Sequence, residues 1–125
     1  MHENEISYVV RGAAFKVHGK LGPGLLESVY EAALKYEIEK LGLKVLSQVG
    51  LPVEYEEIKL DIGYRADLIV EDKVIIEIKS VEALRDVHRK QLLTYLRLSD
   101  MKLGLLINFN TSSLKYSIER IVNNL

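Results

Sequence analysis

The chain reads as an α/β (α+β) fold, with a mixed central sheet of four or more strands flanked by helices in the order α-α-β-β-β-α-β. Three observations predict it. The first forty residues carry apolar positions at helical spacing, the middle of the chain changes to strand-like runs broken by turns, and one more helical segment precedes a short, wholly apolar run. At 125 residues one domain spanning 1–125 is expected, long enough to bury roughly two thirds of its unfolded surface.

The first helix is predicted over "NEISYVVRGAAFKVHGKLG", where Ile6, Val9, Val10, Ala13, Ala14 and Val17 recur every three or four residues. The stretch "LGPG" (Leu21 to Gly24) interrupts it, because glycine and proline punctuate helices. A second helix follows over roughly Leu25 to Leu41, with Leu26, Tyr30, Ala33, Leu34, Glu37 and Leu41 along one side and Gly42 as a stop. Three strands are expected next, in "KVLSQVGLPVEYEEIKL", "IGYRADLIV" and "KVIIEIKS". "EALRDVHRKQLLTYLRLSD" returns to helical spacing through Leu84, Val87, Gln91, Leu92, Tyr95 and Leu98. "KLGLLINF" suits a strand buried on both faces, and "SSLKYSIERIVNNL" an edge strand or short helix.

Composition narrows the class. With 48% hydrophobic and 28% charged residues the chain is neither disordered nor a membrane protein by composition, and no apolar run approaches the roughly 20 residues of a membrane span. "MHENEISYVV" is acidic and polar where a signal peptide would be basic and then apolar, so a cytoplasmic location is the default expectation. The absence of cysteine removes disulfides, thiolate metal sites and cysteine nucleophiles. A net charge of −1 does not advertise nucleic acid, although it permits a locally basic cleft. There is no Walker-type glycine loop, GxSxG elbow or HExxH pair.

The chemistry concentrates in "ADLIVEDKVIIEIKS". Strand side chains alternate faces, so Glu77 and Lys79 project to one side and Val74, Ile76 and Ile78 to the other. If Glu71, Asp72 and Lys73 form a three-residue loop, Val70 faces Val74 and Asp67 faces Glu77 on the same side of the sheet. A two-residue loop would send the two carboxylates to opposite faces. Adjacent carboxylates resist joint ionisation unless a cation joins them, and a hard divalent ion suits oxygen ligands. The competing account is a surface hairpin carrying a cross-strand salt bridge.

Two helices offer further candidates. Glu27 and Tyr30 share a face at the start of the second helix, where Glu27 equally suits the first-turn dipole. His88, Gln91 and Tyr95 lie along one side of the third helix, and Arg85, Arg89, Lys90 and Arg97 bring the densest positive charge in the chain. Those cations form either a solvated face or a rim for phosphate.

The order of these motifs resembles a known family. "GLLESVY" (Gly24 to Tyr30) is similar to the signature of the GxxExxY proteins, a group within the PD-(D/E)XK nuclease superfamily. "ADLIVEDKVIIEIK" resembles the superfamily's Asp…Glu-x-Lys core, with Ala66 where the superfamily name has Pro. "QLLTY" (Gln91 to Tyr95) resembles its QxxxY helix motif, and "KLGLLINFN" the closing strand; together the likeness runs from about Ile6 to Val122.

The resemblance implies a restriction-endonuclease-like core and a metal-dependent nuclease hydrolysing phosphodiester bonds of DNA or RNA. It implies Asp67 and Glu77 as metal ligands with the Ile78 main-chain carbonyl, Lys79 handling the nucleophilic water, and Glu27 completing or tuning the metal site. Gln91 and Tyr95 would position substrate or the lysine, and Tyr30, His88 and Arg89 would contact substrate. The cofactor expected is Mg²⁺, replaceable by Mn²⁺. The partner expected is nucleic acid rather than a membrane, and a homodimer would give so small a domain a second site. A non-catalytic module that binds nucleic acid or protein on the same fold is the alternative.

Overall fold

In the computed structural model, which describes Met1–Leu125, the first two elements are α1 (Glu3–Leu21) and α2 (Glu27–Lys40). Of the apolar positions foreseen for α1 it buries Ile6, Val10, Ala13, Ala14 and Val17, while Val9 at the edge of that face is only partly covered and Ser7 is buried beside them. A reciprocal cap starts it, His2 accepting from Asn4 N–H at 3.0 Å while His2 N–H donates to Glu5 Oε1 at 2.9 Å.

Seven strands follow in two sheets. The larger is ordered β1-β4-β5-β6-β7, from β1 (Val45–Gly50), β4 (Arg65–Val70), β5 (Val74–Lys79), β6 (Leu103–Asn108) and β7 (Ile118–Val122). Only β5 and β6 run parallel, joined over one face by α3 (Asp86–Ser99), as a parallel pair requires. The smaller sheet is a hairpin of β2 (Val53–Tyr55) and β3 (Ile58–Leu60). The result is a mixed five-stranded sheet flanked by three helices, the restriction-endonuclease-like architecture.

Strand alternation divides the core in two. Val74, Ile76 and Ile78 pack with α1 and α2 in a cluster of 19 buried residues, whereas Ile75 and Leu106 pack with Leu92, Tyr95 and Leu96 of α3. The six residues of β6 are all buried, as a strand covered on both faces demands.

Three boundaries differ from the sequence expectation, each for a local reason. The segment Lys44–Leu60, read as one strand, is broken after β1: Pro52 has no N–H to continue a ladder, and Glu56 turns at φ 56° into β3. The third helix begins at Asp86 rather than near Glu82, because the side chain of Asn108 holds Val81 by both its N–H (3.1 Å) and its carbonyl (2.9 Å). The C-terminal segment supplies both alternatives, a 3₁₀ turn at Leu114–Tyr116 and then β7 on the sheet edge.

Close approach of α3 to the sheet depends on Gly104, where an added Cβ would lie 2.9 Å from three carbons of Leu92. Gly104→Ala is therefore expected to lower the unfolding free energy by about 1–3 kcal/mol, the usual cost of overpacking. Urea titration of both proteins measures it, and an unchanged midpoint would show that Leu92 re-packs freely.

Candidate active site

The turn between β4 and β5 places the chemistry. Glu71 and Asp72 both adopt left-handed backbone (φ 53° and 56°), Lys73 N–H donates to Val70 O at 3.1 Å, and Val70 faces Val74. Three loop residues thus set the odd register, which continues through Leu68 opposite Ile76 and brings Asp67 level with Glu77.

There the two strands part. β5 keeps pairing with β6 as far as Lys79, and β4 keeps pairing with β1 as far as Arg65, but no ladder joins β4 to β5 beyond Leu68. Carboxylates take over the vacated hydrogen bonds. Asp67 N–H donates to Glu77 Oε1 at 3.0 Å, and Ile78 N–H donates to Asp67 Oδ2 at 2.8 Å. The N–H and carbonyl of one strand residue share an edge, so the Ile78 carbonyl also faces this opening.

Burial and proximity govern the charges. Glu77 is only 5% exposed, and burial followed by the neighbouring Asp67 charge raises its carboxyl pKa to about 8. Asp67 is also raised, chiefly by burial, against the stabilising hydrogen bonds from Ile78 and Gln48 and the positive charge of Lys79. Lys79 is half-buried, acts electrostatically on both carboxyls and on His88, and forms no ion pair.

Gln48 belongs to no motif of the chain, yet it joins the site. It sits level with Asp67 across the β1–β4 pair, at φ 51°, a conformation uncommon for a side-chain-bearing residue. Its Nε2 donates to Glu31 Oε1 at 2.7 Å and to Asp67 Oδ1 at 3.3 Å. Glu31, raised first by burial and also by the Asp67 charge, therefore joins the acidic surroundings from α2.

The remaining sequence candidates divide. Tyr95 comes to the pair: burial, then the charges of Glu77 and Asp67, raise its phenol. Its hydroxyl bonds to no protein group, yet no buried polar atom lacks a partner, so that hydroxyl reaches solvent at the site. Glu27 approaches from the other side, its charge raising Asp67, while its Oε2 accepts from Ser80 N–H at 2.9 Å, directly after Lys79. His88 is lowered mainly by burial and then by Lys79, and its Nδ1 accepts from Arg85 N–H at 3.0 Å. Gln91 lies exposed on α3 without a hydrogen bond.

Two expectations require correction. Tyr30 is fully buried and stacks on Phe109 with centroids 4.5 Å apart, so substrate does not reach it. Its hydroxyl donates to Gly22 O at 2.5 Å and accepts from Leu25 N–H at 3.1 Å, bracing the turn before α2. Tyr30→Phe is expected to cost about 1–3 kcal/mol by leaving those groups unpartnered, measurable by denaturant titration, and a neutral result would deny the brace. Arg89 is engaged rather than free, its guanidinium holding Glu119 of β7 through two bonds of 2.7 and 2.9 Å.

The donor set suits a hard divalent cation. Asp67 and Glu77 offer about eight lone-pair sites, against which the chain places three hydrogen-bond donors, and the Ile78 carbonyl adds another oxygen. No third acidic or histidine side chain converges on them to complete a ready-made protein cage.

A family model described as the PD-(D/E)XK nuclease superfamily matches residues 4–121. No curated protein matches the chain.

Proposed function

Because the chain belongs to the PD-(D/E)XK nuclease superfamily, we propose that it is a divalent-metal-dependent nuclease of the GxxExxY type. It hydrolyses phosphodiester bonds of nucleic acid at Asp67, Glu77 and Lys79. One observation carries the proposal: a buried glutamate and a half-buried aspartate that repel one another in the opening between β4 and β5, beside a lysine that has no ion partner.

Asp67, Glu77 and the Ile78 carbonyl would hold Mg²⁺, and Mn²⁺ offers the same oxygen preference. The bound cation supplies Lewis acidity and neutralises charge at the phosphoryl group. The chain's own residues do the rest. The Lys79 ammonium donates hydrogen bonds, orienting a water and countering negative charge that grows on the phosphoryl oxygens. Tyr95 presents its hydroxyl as a further donor at the same mouth.

The GxxExxY assignment draws support from what those residues do. Gly24 (φ 96°) makes the turn, Tyr30 braces it, and Glu27 ties α2 to Ser80 N–H. Ser80 Oγ returns a bond to Leu25 O at 2.7 Å. The signature thereby anchors the backbone immediately after Lys79.

The test is incubation of labelled DNA and RNA, single- and double-stranded, with Mg²⁺, Mn²⁺ or EDTA. Cleavage is expected only with metal, and Asp67→Asn is expected to slow it by at least about 100-fold. Undiminished cleavage in EDTA or by Asp67→Asn would refute the proposal, as would binding without turnover in every metal.

A further inference from the structure

Beyond the carboxyl pair, the segment that leads into β4 exposes a run of large apolar side chains. Tyr55 is 62% exposed, Ile58 59%, Ile62 71% and Tyr64 42%, all on the β2–β3 hairpin or the residues after it. Scattered surface hydrophobes need no explanation, but this run ends at the site. Tyr64 packs edge-on against Tyr95 with centroids 6.0 Å apart, and Tyr95 is the α3 residue whose hydroxyl opens at the carboxyl pair. Tyr64 nonetheless keeps a substantial part of its surface in solvent.

Arg65 follows directly. Its Nη1 donates to Gln48 O at 3.2 Å, and Gln48 Nε2 reaches Asp67 Oδ1 at 3.3 Å, so a single residue separates the guanidinium from the carboxyl pair. Arg65 has no ion partner, nor have Lys79 and Arg85. Gly63, at φ 86°, provides the bend that sets Tyr64 and Arg65 at the rim. Tyr64 stands three residues before Asp67, just ahead of β4, at most roughly 10 Å away along extended chain and within reach of a nucleotide neighbouring the scissile phosphate.

We infer that Tyr64 and Arg65 form a clamp for an unpaired nucleotide, the ring stacking on the base and the guanidinium holding its phosphate, which makes single-stranded nucleic acid the substrate class. This rests on the nuclease reading above. A duplex hides the faces of its bases in the stack, and an aromatic ring meets them only where the strand is unpaired. The charge balance agrees. A chain of net charge −1, with three free cations about the site, has little phosphate-derived affinity, and stacking supplies what charge does not.

The experiment measures anisotropy of labelled oligothymidylate, oligouridylate and a blunt duplex on a Glu77→Gln background, so that substrate is not consumed. Single strands are expected to bind at least about tenfold tighter than the duplex. Tyr64→Ala is expected to weaken them about 5- to 100-fold while Tyr64→Phe leaves them nearly unchanged. The slope of log affinity against log salt is expected near roughly −2, for three phosphate contacts on a single strand. An oligomer carrying 2-aminopurine should lose fluorescence on binding, and this readout decides the matter if Tyr64→Ala fails to fold. Equal affinity for duplex and single strand, or equal binding by the Ala and Phe variants, would overturn the clamp. Cleavage by the parent protein is scored separately. Turnover that ignores Tyr64 sinks the clamp alone, and Tyr64-dependent binding without turnover sinks the nuclease reading alone.

Discussion

Lys79→Met is expected to reduce single-turnover cleavage by about 10²–10⁴-fold at saturating Mg²⁺, the range for loss of a positioned proton-handling group. The fold should survive, because Lys79 is half-buried and holds nothing else in place by hydrogen bond or ion pair. Thermal melts of the variant check that point, and unchanged nucleic-acid affinity would assign the loss to the chemical step. Lys79→Arg keeps the charge but replaces a compact ammonium with a broad planar fork, so recovery should be partial. A Met variant within about threefold of the parent would remove Lys79 from the reaction.

In EDTA the protein is expected to lose a few kcal/mol of stability as pH rises from about 5 to 8. The cause is Glu77, whose ordinary value near 4.5 rises to about 8 in the fold. Between those limits the folded chain keeps a proton that the unfolded chain has released. Stability is therefore full below the unfolded value and declines as pH climbs toward the folded one, by about 1.4 kcal/mol per unit for one proton. Asp67, raised in the same direction, adds to the decline. His88, lowered by burial and then by Lys79, contributes in the opposite sense but is only partly covered.

Glu77→Gln isolates the effect. The amide oxygen still accepts from Asp67 N–H, and its NH₂ group can donate to the Asp67 carboxylate. The variant should be flatter across this window and more stable than the parent at pH 8. Added Mg²⁺ should raise the parent's Tm at pH 8 more than the variant's, since an ion that binds only the folded chain stabilises it. Denaturant titrations at pH 5.5 and 8 read both effects, and a parent indifferent to pH would show that Glu77 ionises freely.

The two predictions share a geometry that was partly legible from residue order. The length of the loop Glu71–Lys73 is a local property, and an odd count leaves Asp67 and Glu77 level. Likewise the spacing in α1, the alternation in β5 and the apolar run of β6 each arise from residues a few positions apart, and each element formed where expected.

What failed to show in the sequence depends on distant partners. Gln48 gains significance only when β1 pairs with β4 and sets it level with Asp67, 19 positions along the chain. Tyr30 resembles a site residue by its motif, but Phe109, directly after β6, covers its ring. Arg89 reads as a free cation until β7 brings Glu119 to it. The raised pKa of Glu77 belongs to the same class, because desolvation requires α3 and the neighbouring strands to close over its face of the sheet. Periodicity and loop length act over a few residues, so residue order is enough for the three helices, the main strands of the sheet and, given a three-residue loop, the level placement of the two carboxylates. The tertiary structure alone decided which charges are buried, which are neutralised and which remain free, since those properties depend on what packs against them.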